Sequence, residues 1–244
     1  MTSQPKFWSV VPAAGIGTRM KADVPKQYLP LNGRMVIEHT LENLCSHKSI
    51  SGVVVAHAPN DEHLKHLKLN CSMALTMVEG GAERCHSVLN GLNKLSELAD
   101  NNDWVLVHDA ARPCVRTSDL DKLINTLKDH KVGGLLGIPV RDTMKRSDTE
   151  SSVYETVERA GLWHAHTPQM FRLKMLKEAL EDALDNSVLV TDEAAAMERQ
   201  GHHPLMVEGH ADNIKITRPE DLVLAGFYLK QQSEKSLDGL DDGE

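Results

Sequence analysis

Phe7 to Val11 is a short apolar run that ends in Pro12, two alanines and the pair Gly15 and Gly17, and Arg19 and Lys26 follow, so that Val10 to Lys26 reads VVPAAGIGTRMKADVPK. This stretch constrains the rest of the chain more than any other, because it reads as a strand opening into a loop that cradles phosphate. Small residues let the backbone come close to a ligand, and glycines take the positive φ that turns successive N–H groups toward an anion. Arg19 and Lys26 add mobile positive charge. Two commoner glycine-rich loops fail on spacing: a dinucleotide fingerprint starting at Gly15 needs a third glycine where Met20 stands, and no GxxxxGK[ST] loop is present. The competing reading is an ordinary strand-to-loop turn with two solvated cations.

The remainder of the chain repeats that strand-then-helix alternation. Val36, Ile37, Leu41, Leu44 and Cys45 recur at helical spacing over 35–47, and Ser51 to Ala58 is a β-branched run closed by a turn cluster. A short polar helix over 61–67 and a strand over 73–78 come next. The loop Glu79 to Arg84 then places a Gly-Gly pair ahead of a helix with the stripe Val88, Leu92, Leu95 and Ala99. In a doubly wound sheet this second loop stands beside the first, since ligands bind at the carboxyl ends of the strands. It is read as facing a base, with a plain tight turn as the alternative.

Asp103 to Asp109 is a buried strand ending in a carboxylate, with Arg112 three residues on. An acid at that position can hold a divalent cation beside bound phosphates, although it can also simply cap a turn. After a helix carrying Leu120, Leu123, Ile124 and Leu127 and a strand over 132–140, residues 141–152 turn almost wholly polar before Val153 to Val157 resumes a strand pattern. This predicts a protruding β-arm over about 141–161, with a flexible surface loop as the competing reading. An isolated hairpin is marginal in water, so a second subunit is the expected support. Gly161 to Gln169 reads as an irregular connection and Phe171 to Leu184 as a helix. Thr191, Asp192 and Glu193 open an Ala-rich helix, 203–209 is a short strand, and Lys215 lies in a strand alternation over 212–217. Thr217 and Glu220 suggest a capping box for a last helix facing inward through Leu222, Ala225 and Leu229. A single domain over 1–232 and a frayed acidic tail over 233–244 follow from this reading.

Composition excludes several classes. The chain has 244 residues, 41% apolar and 25% charged, which suits one large α/β domain with a sizeable core. No apolar run approaches the roughly 20 residues of a membrane span, and no signal pattern opens the chain, so a cytoplasmic protein is expected. A net charge of −8 argues against a general nucleic-acid binder. Residues 1–26 nonetheless hold four Lys or Arg against one Asp, a local patch suited to a small phosphorylated ligand. Cys45, Cys71, Cys85 and Cys114 show no CxxC pair and are expected to be reduced thiols. The thirteen histidines lack acidic or Cys partners at metal spacing and read as surface or helix-face residues.

The motifs PAAGIGTRM, VPKQYLPL, HDAARP, PVRDTMK, TPQ, TDEAAAME and ADNIKITRPEDL, in this order over about Trp8 to Leu229, resemble those of the 2-C-methyl-D-erythritol 4-phosphate cytidylyltransferases. The resemblance implies a Rossmann-like three-layer nucleotidyltransferase fold with a mostly parallel twisted sheet. It also implies a homodimer joined by the arm and a divalent metal, normally Mg²⁺. The reaction it implies is direct attack of the polyol phosphate on the α-phosphorus of CTP, with release of pyrophosphate. On this resemblance Arg19, Lys26, Lys215 and Arg159 carry catalysis. Pro12, Ala13, Ala14, Gly15, Gly17, Gly81, Ala82, Ser87, Asp109 and Ala110 bind CTP. Thr143, Arg159, Thr167, Thr191 and Arg112 bind the polyol phosphate, Arg159 and Thr143 in the neighbouring subunit's site, and Asp109 with Asp212 holds the metal. One departure is His86, which stands before the serine where members of the family often carry an acid.

Two other functions compete with this expectation. One is a cytidylyltransferase for another polyol phosphate such as ribitol 5-phosphate. The other is a nucleotide-binding regulator without catalysis, against which stands the presence of Arg19, Lys26 and Lys215 together. A nicotinamide dehydrogenase ranks below both because of Met20.

Overall fold

The computed structural model describes residues 4–15, 24–71, 73 and 75–237. The expectations for Gly17, Arg19 and the end of the acidic tail lie outside these residues. β1 (Phe7–Pro12) leads, by way of a 3₁₀ turn (Lys26–Tyr28) and a small ribbon of β2 (Pro30–Leu31) and β3 (Arg34–Met35), to α1 (Val36–Cys45). β4 (Ile50–His57), a second 3₁₀ turn (Glu62–His66), β5 (Leu75–Glu79), α2 (Arg84–Leu95), β6 (Trp104–Val107), α3 (Thr117–Leu127) and β7 (Gly133–Pro139) follow. Then come β8 (Met144–Ser147), β9 (Val153–Val157), β10 (Trp163–Arg172), α4 (Leu173–Asp185), α5 (Glu193–Arg199), β11 (Leu205–Glu208) and α6 (Pro219–Leu237).

Seven strands form one sheet in the order β11-β7-β10-β6-β1-β4-β5. β1 runs parallel to β4 and β6, β4 to β5 and β11 to β7, whereas β10 is antiparallel to β6 and β7. The continuous apolar runs have a direct explanation here, because both faces are covered and side chains alternate between them. Val11, Val53, Val55, Trp104 and Leu106 pack with Leu41, Leu44, Leu120 and Leu123 of α1 and α3. Val10, Val54, Val105 and Val107 pack on the opposite side with Val88, Leu92, Leu176 and Leu180 of α2 and α4. The α2 packing is close: a Cβ on Gly91 would lie 2.5 Å from Val10.

The topology also fixes where a ligand goes. From β1 the chain passes to β4 and β5 on one side, then crosses back through α2 to β6 on the other. The carboxyl ends of β1 and β6 therefore flank a switch point, the usual place for a ligand crevice in an open α/β sheet.

Four sequence expectations are corrected. Trp163–Arg172, read as an irregular connection with the helix starting at Phe171, is the long strand β10 near the middle of the sheet, and the helix starts at Leu173. Its pairing with β7 shifts register between Ala165 and Gln169, where Pro168 offers no N–H to the ladder. Residues 212–217 are not a sheet strand; the segment is pinned by the Ile216 N–H donating to Ala111 O at 2.8 Å. The helix α6 is capped by Asp221, which accepts from the Thr217 N–H, the Thr217 hydroxyl and the Arg218 N–H, so one carboxylate does what Thr217 and Glu220 were expected to share. Finally, Cys45 and Cys71 form a disulfide with Cα atoms 5.6 Å apart, while Cys85 and Cys114 are free and buried. Twenty-six residues of separation conceal that pair in the sequence. The two meet because the end of α1 and the segment after the second 3₁₀ turn pack onto the same core cluster.

Candidate active site

A cavity of about 540 Å³ opens at the carboxyl ends of β1 and β6. Three loops and one extended segment line it. Pro12, Ala13, Ala14 and Gly15 come from the end of β1, and Gly81, Ala82 and Ser87 from the loop and first turn of α2. Asp109 and Ala110 follow β6, and Lys26 and Lys215 close the rim. Nearly all the residues that the resemblance assigned to CTP, and two of its four catalytic cations, thus line one cavity.

Each wall has a local reason for its shape. Buried Gln27 spends both amide hydrogens on the first loop, donating to Ala13 O at 2.6 Å and Gly15 O at 3.0 Å. Ala13 N donates to Ala56 O, which keeps the loop in line with β4. Ser87 accepts from the Gly81 N–H at 3.0 Å, and His86 Nδ1 accepts from the Glu83 N–H at 3.3 Å, so both side chains hold the start of α2. Gly80 is required by close approach, since a Cβ there would lie 2.6 Å from the Ala14 Cβ and 2.7 Å from Ser87 Oγ. The two glycine-bearing loops stand side by side, as the reading of a second ligand-facing loop expected.

The charged centre is Asp109. Its N–H donates to Thr167 Oγ1 at 3.1 Å, and that hydroxyl also bonds His108 Nδ1 at 3.0 Å. Arg84 Nε donates to Oδ1 at 2.9 Å, Lys215 Nζ lies 2.7 Å from Oδ2, and Arg112 Nε stands 3.7 Å from the same oxygen. Burial alone would push the Asp109 carboxyl up. The charges of Arg84, Lys215 and Arg112 overcome this and hold it well below the usual carboxylate range. Lys26 donates to Ile216 O at 2.9 Å, so the backbone next to Lys215 is tied to the other cavity cation.

The remaining assignments divide. Thr167 and Arg112 are buried behind Asp109, and Arg112 Nη1 donates to Asn213 O at 2.7 Å. Thr191 is exposed and does not line the cavity. Thr143 and Arg159 are exposed on the arm, away from this chain's cavity. Asp212 also stands outside the lining, and its Oδ2 accepts from Arg116 Nε at 3.0 Å and Gln232 Nε2 at 2.9 Å. Among the described residues no group of three His, Cys, Asp or Glu side chains is placed to hold a metal. Mg²⁺ normally takes one or two carboxylates and completes its shell with substrate phosphates and water. Asp109, which shares the cavity lining with one other acid, Glu83, stands beside the first loop and offers a single carboxylate of the kind that mode needs.

Sequence reasoning missed Gln27, Arg84 and Glu193 as site residues. Arg84 carried a usable signal, a cation three residues after a glycine pair, much as Arg19 and Lys26 follow the glycines of the first loop.

Behind the site, buried His166 has its ordinary value of 6.5 pushed down to about 4, first by burial and then by the charges of Arg112 and His164. It stays neutral in the fold while the unfolded chain takes up a proton. Its contribution is therefore complete above pH 6.5 and is lost as pH falls toward 4. His166→Gln is expected to show a smaller drop in urea midpoint between pH 7.0 and 4.5 than the parent protein. An identical drop would contradict this.

A family model described as 2-C-methyl-D-erythritol 4-phosphate cytidylyltransferase matches residues 7–231. Proteins of that name from Vibrio atlanticus (strain LGP32) and Pseudomonas aeruginosa (strain PAO1) are each 54% identical to this chain. The alignments cover 93% and 90% of it and 96% and 94% of the relatives. The crystal structure of the Francisella tularensis protein of that name superposes with a TM-score of 0.79 at 36% identity, covering 91% of this chain and 99% of its own. That of the Thermus thermophilus protein gives 0.72 at 30% identity, covering 92% and 99%. Fold, cavity and these similarities agree, and the chain belongs to the 2-C-methyl-D-erythritol 4-phosphate cytidylyltransferase family.

Proposed function

We infer that this protein joins CTP to 2-C-methyl-D-erythritol 4-phosphate, giving 4-diphosphocytidyl-2-C-methyl-D-erythritol and pyrophosphate. The observation that carries this reading is the cavity in which two glycine-bearing loops and the cations Lys26 and Lys215 converge beside Asp109. A phosphate oxygen of the acceptor attacks the α-phosphorus of CTP. The new P–O bond forms as the bond to the β-phosphate oxygen breaks, and pyrophosphate leaves with that electron pair. Such a transfer needs positioning and charge stabilisation more than covalent help from the protein.

The first loop faces the triphosphate with its backbone N–H groups, and the small residues Ala13, Ala14, Gly81, Ala82 and Ser87 on the cavity lining take the base. Lys26 and Lys215 stabilise charge as it moves onto the leaving pyrophosphate. Mg²⁺ bound with the nucleotide would add charge neutralisation at the phosphates, and Asp109 is the residue that would hold it. A nucleoside triphosphate substrate goes with a cytoplasmic enzyme. Mass spectrometry of a reaction with both substrates and Mg²⁺ tests the reading: the cytidylyl product is expected, and unchanged CTP would contradict it.

The dimer belongs to the same proposal. Among the described residues β8 and β9 pair with each other alone, outside the main sheet, and Val153 and Tyr154 are 60% and 64% exposed. A two-stranded hairpin with exposed apolar side chains is supported by a partner subunit. Arg159, whose guanidinium is held by the Arg141 carbonyl at the base of the arm, then serves the partner's cavity together with Thr143. Arg159→Ala is expected to lower kcat/KM for the polyol phosphate by about 10- to 100-fold, as for loss of a charged hydrogen bond. CTP affinity, measured by calorimetry, stays as it was. A collapse of CTP affinity would place Arg159 elsewhere.

A further inference from the structure

Arg84 and Glu193 form a buried pair that the proposed chemistry does not use. The Arg84 Nη1 and Nη2 groups donate to Glu193 Oε1 and Oε2 at 2.7 and 3.0 Å, and its Nε donates to Asp109 Oδ1 at 2.9 Å. The Glu193 side chain is 1% exposed, while that of Arg84 is 26% exposed and lines the cavity. Glu193 is itself held firmly. It is the first residue of α5, whose Ala194 N–H donates to Gln169 Oε1 at 2.8 Å and whose Ala195 N–H donates to Asp192 Oδ1 at 3.0 Å. Gln169 Nε2 donates to the other Asp192 oxygen at 2.9 Å.

Stability alone does not account for this arrangement, because a buried ion pair can often be replaced by apolar residues of similar volume without loss. The geometry suggests another purpose. A guanidinium is planar and its donors are fixed relative to one another. Two bonds to Glu193 set the plane, and the third donor then has one direction left, toward Oδ1 of Asp109. With that oxygen held, the second oxygen faces Lys215 at 2.7 Å. Glu193, Arg84, Asp109 and Lys215 thus form a row of alternating charge from α5 to the cavity rim. Arg84 also begins α2, directly after the Gly80–Glu83 loop, so the row is anchored in the wall that faces the base.

We propose that Arg84, oriented by Glu193, is a positioning residue that fixes the Asp109 carboxylate and through it the Lys215 ammonium in reacting geometry. This role rests on the cytidylyltransferase reading above. Partners of this kind change activity by roughly 10- to 100-fold when removed.

The test compares the parent protein with Arg84→Met, Glu193→Gln and the double variant in kcat, in CTP dissociation constant by calorimetry, and in thermal midpoint. Glu193→Gln keeps shape and size, which guards against simple misfolding. The expected result is a fall in kcat of about 10- to 100-fold in each single variant. CTP affinity should stay within about threefold, and the double variant should be no slower than Arg84→Met, because Glu193 acts through Arg84. Arg84→Lys, which has no fork, does not restore kcat. Four outcomes would overturn the role: lower midpoints with unchanged kcat, weakened CTP binding with kcat intact, multiplying losses in the double variant, or full activity in Arg84→Lys. A parent protein that binds CTP yet releases no pyrophosphate would overturn the cytidylyltransferase reading, and this role with it.

Discussion

Lys215→Met is expected to lower turnover by a factor on the order of 10² to 10³, the usual effect of removing one preorganised donor from a site where charge develops. The size of the effect comes from how firmly the ammonium is held before substrate arrives. Its segment is pinned on both sides: Ile216 donates to Ala111 O, and Lys26 donates to Ile216 O. Arg112 grips the carbonyl of Asn213, whose side chain donates to Thr167 O at 2.8 Å. The ammonium itself stands 2.7 Å from Asp109. A side chain fixed in this way needs little reorganisation as pyrophosphate departs. Because Lys215 is 35% exposed and stands at a cavity rim, its loss should leave the thermal midpoint nearly unchanged. Stopped-time assays of pyrophosphate release check the rate, and a variant within fivefold of the parent would remove Lys215 from the chemistry.

Asp109→Asn is expected to act on stability and rate together. The change keeps the shape and the backbone bond to Thr167 but leaves Arg84, Arg112 and Lys215 around a neutral amide. Removing one partner from a buried charge cluster costs about 3–5 kcal/mol, since the remaining charges stay desolvated. The pairing of Arg84 with Glu193 relieves part of this, so a loss near 3 kcal/mol is expected in urea unfolding. Turnover should fall at least as far as in Lys215→Met, because Arg84 and Lys215 both lose their common acceptor. Combining Asp109→Asn with Lys215→Met should recover some stability by removing one uncompensated charge, yet recover no activity. Unchanged unfolding in Asp109→Asn would mean that the three cations are not balanced by this carboxylate.

The parts of the molecule that were legible in the sequence share a physical property: each is dictated by near neighbours along the chain. The strands β1, β4 and β6 are apolar runs because both sheet faces are covered, and a run of that kind is visible without knowing its partners. The loops at Gly15 and Gly81 could be recognised for the same reason, as small residues at strand ends. The polar arm stood out against its apolar flanks. Arg84 and Glu193 were hidden because 109 residues separate them, and in the sequence Glu193 looks like any acid in the first turn of a helix. β10 was hidden differently. WHAHTPQMFR mixes histidines, a glutamine and a proline into a strand, and its place between β7 and β6 is revealed only by the tertiary pairing. Cys45 and Cys71 likewise become partners only once two distant segments pack on one core.

The central claim is that the cavity between β1 and β6 transfers a cytidylyl group to one particular acceptor. Pyrophosphate release with Mg²⁺ and CTP, measured in parallel with 2-C-methyl-D-erythritol 4-phosphate, with ribitol 5-phosphate and with no acceptor, tests it most directly. The account predicts release with the first alone. Release only with ribitol 5-phosphate would contradict the acceptor assignment, and no release with either would contradict the catalytic reading of the cavity.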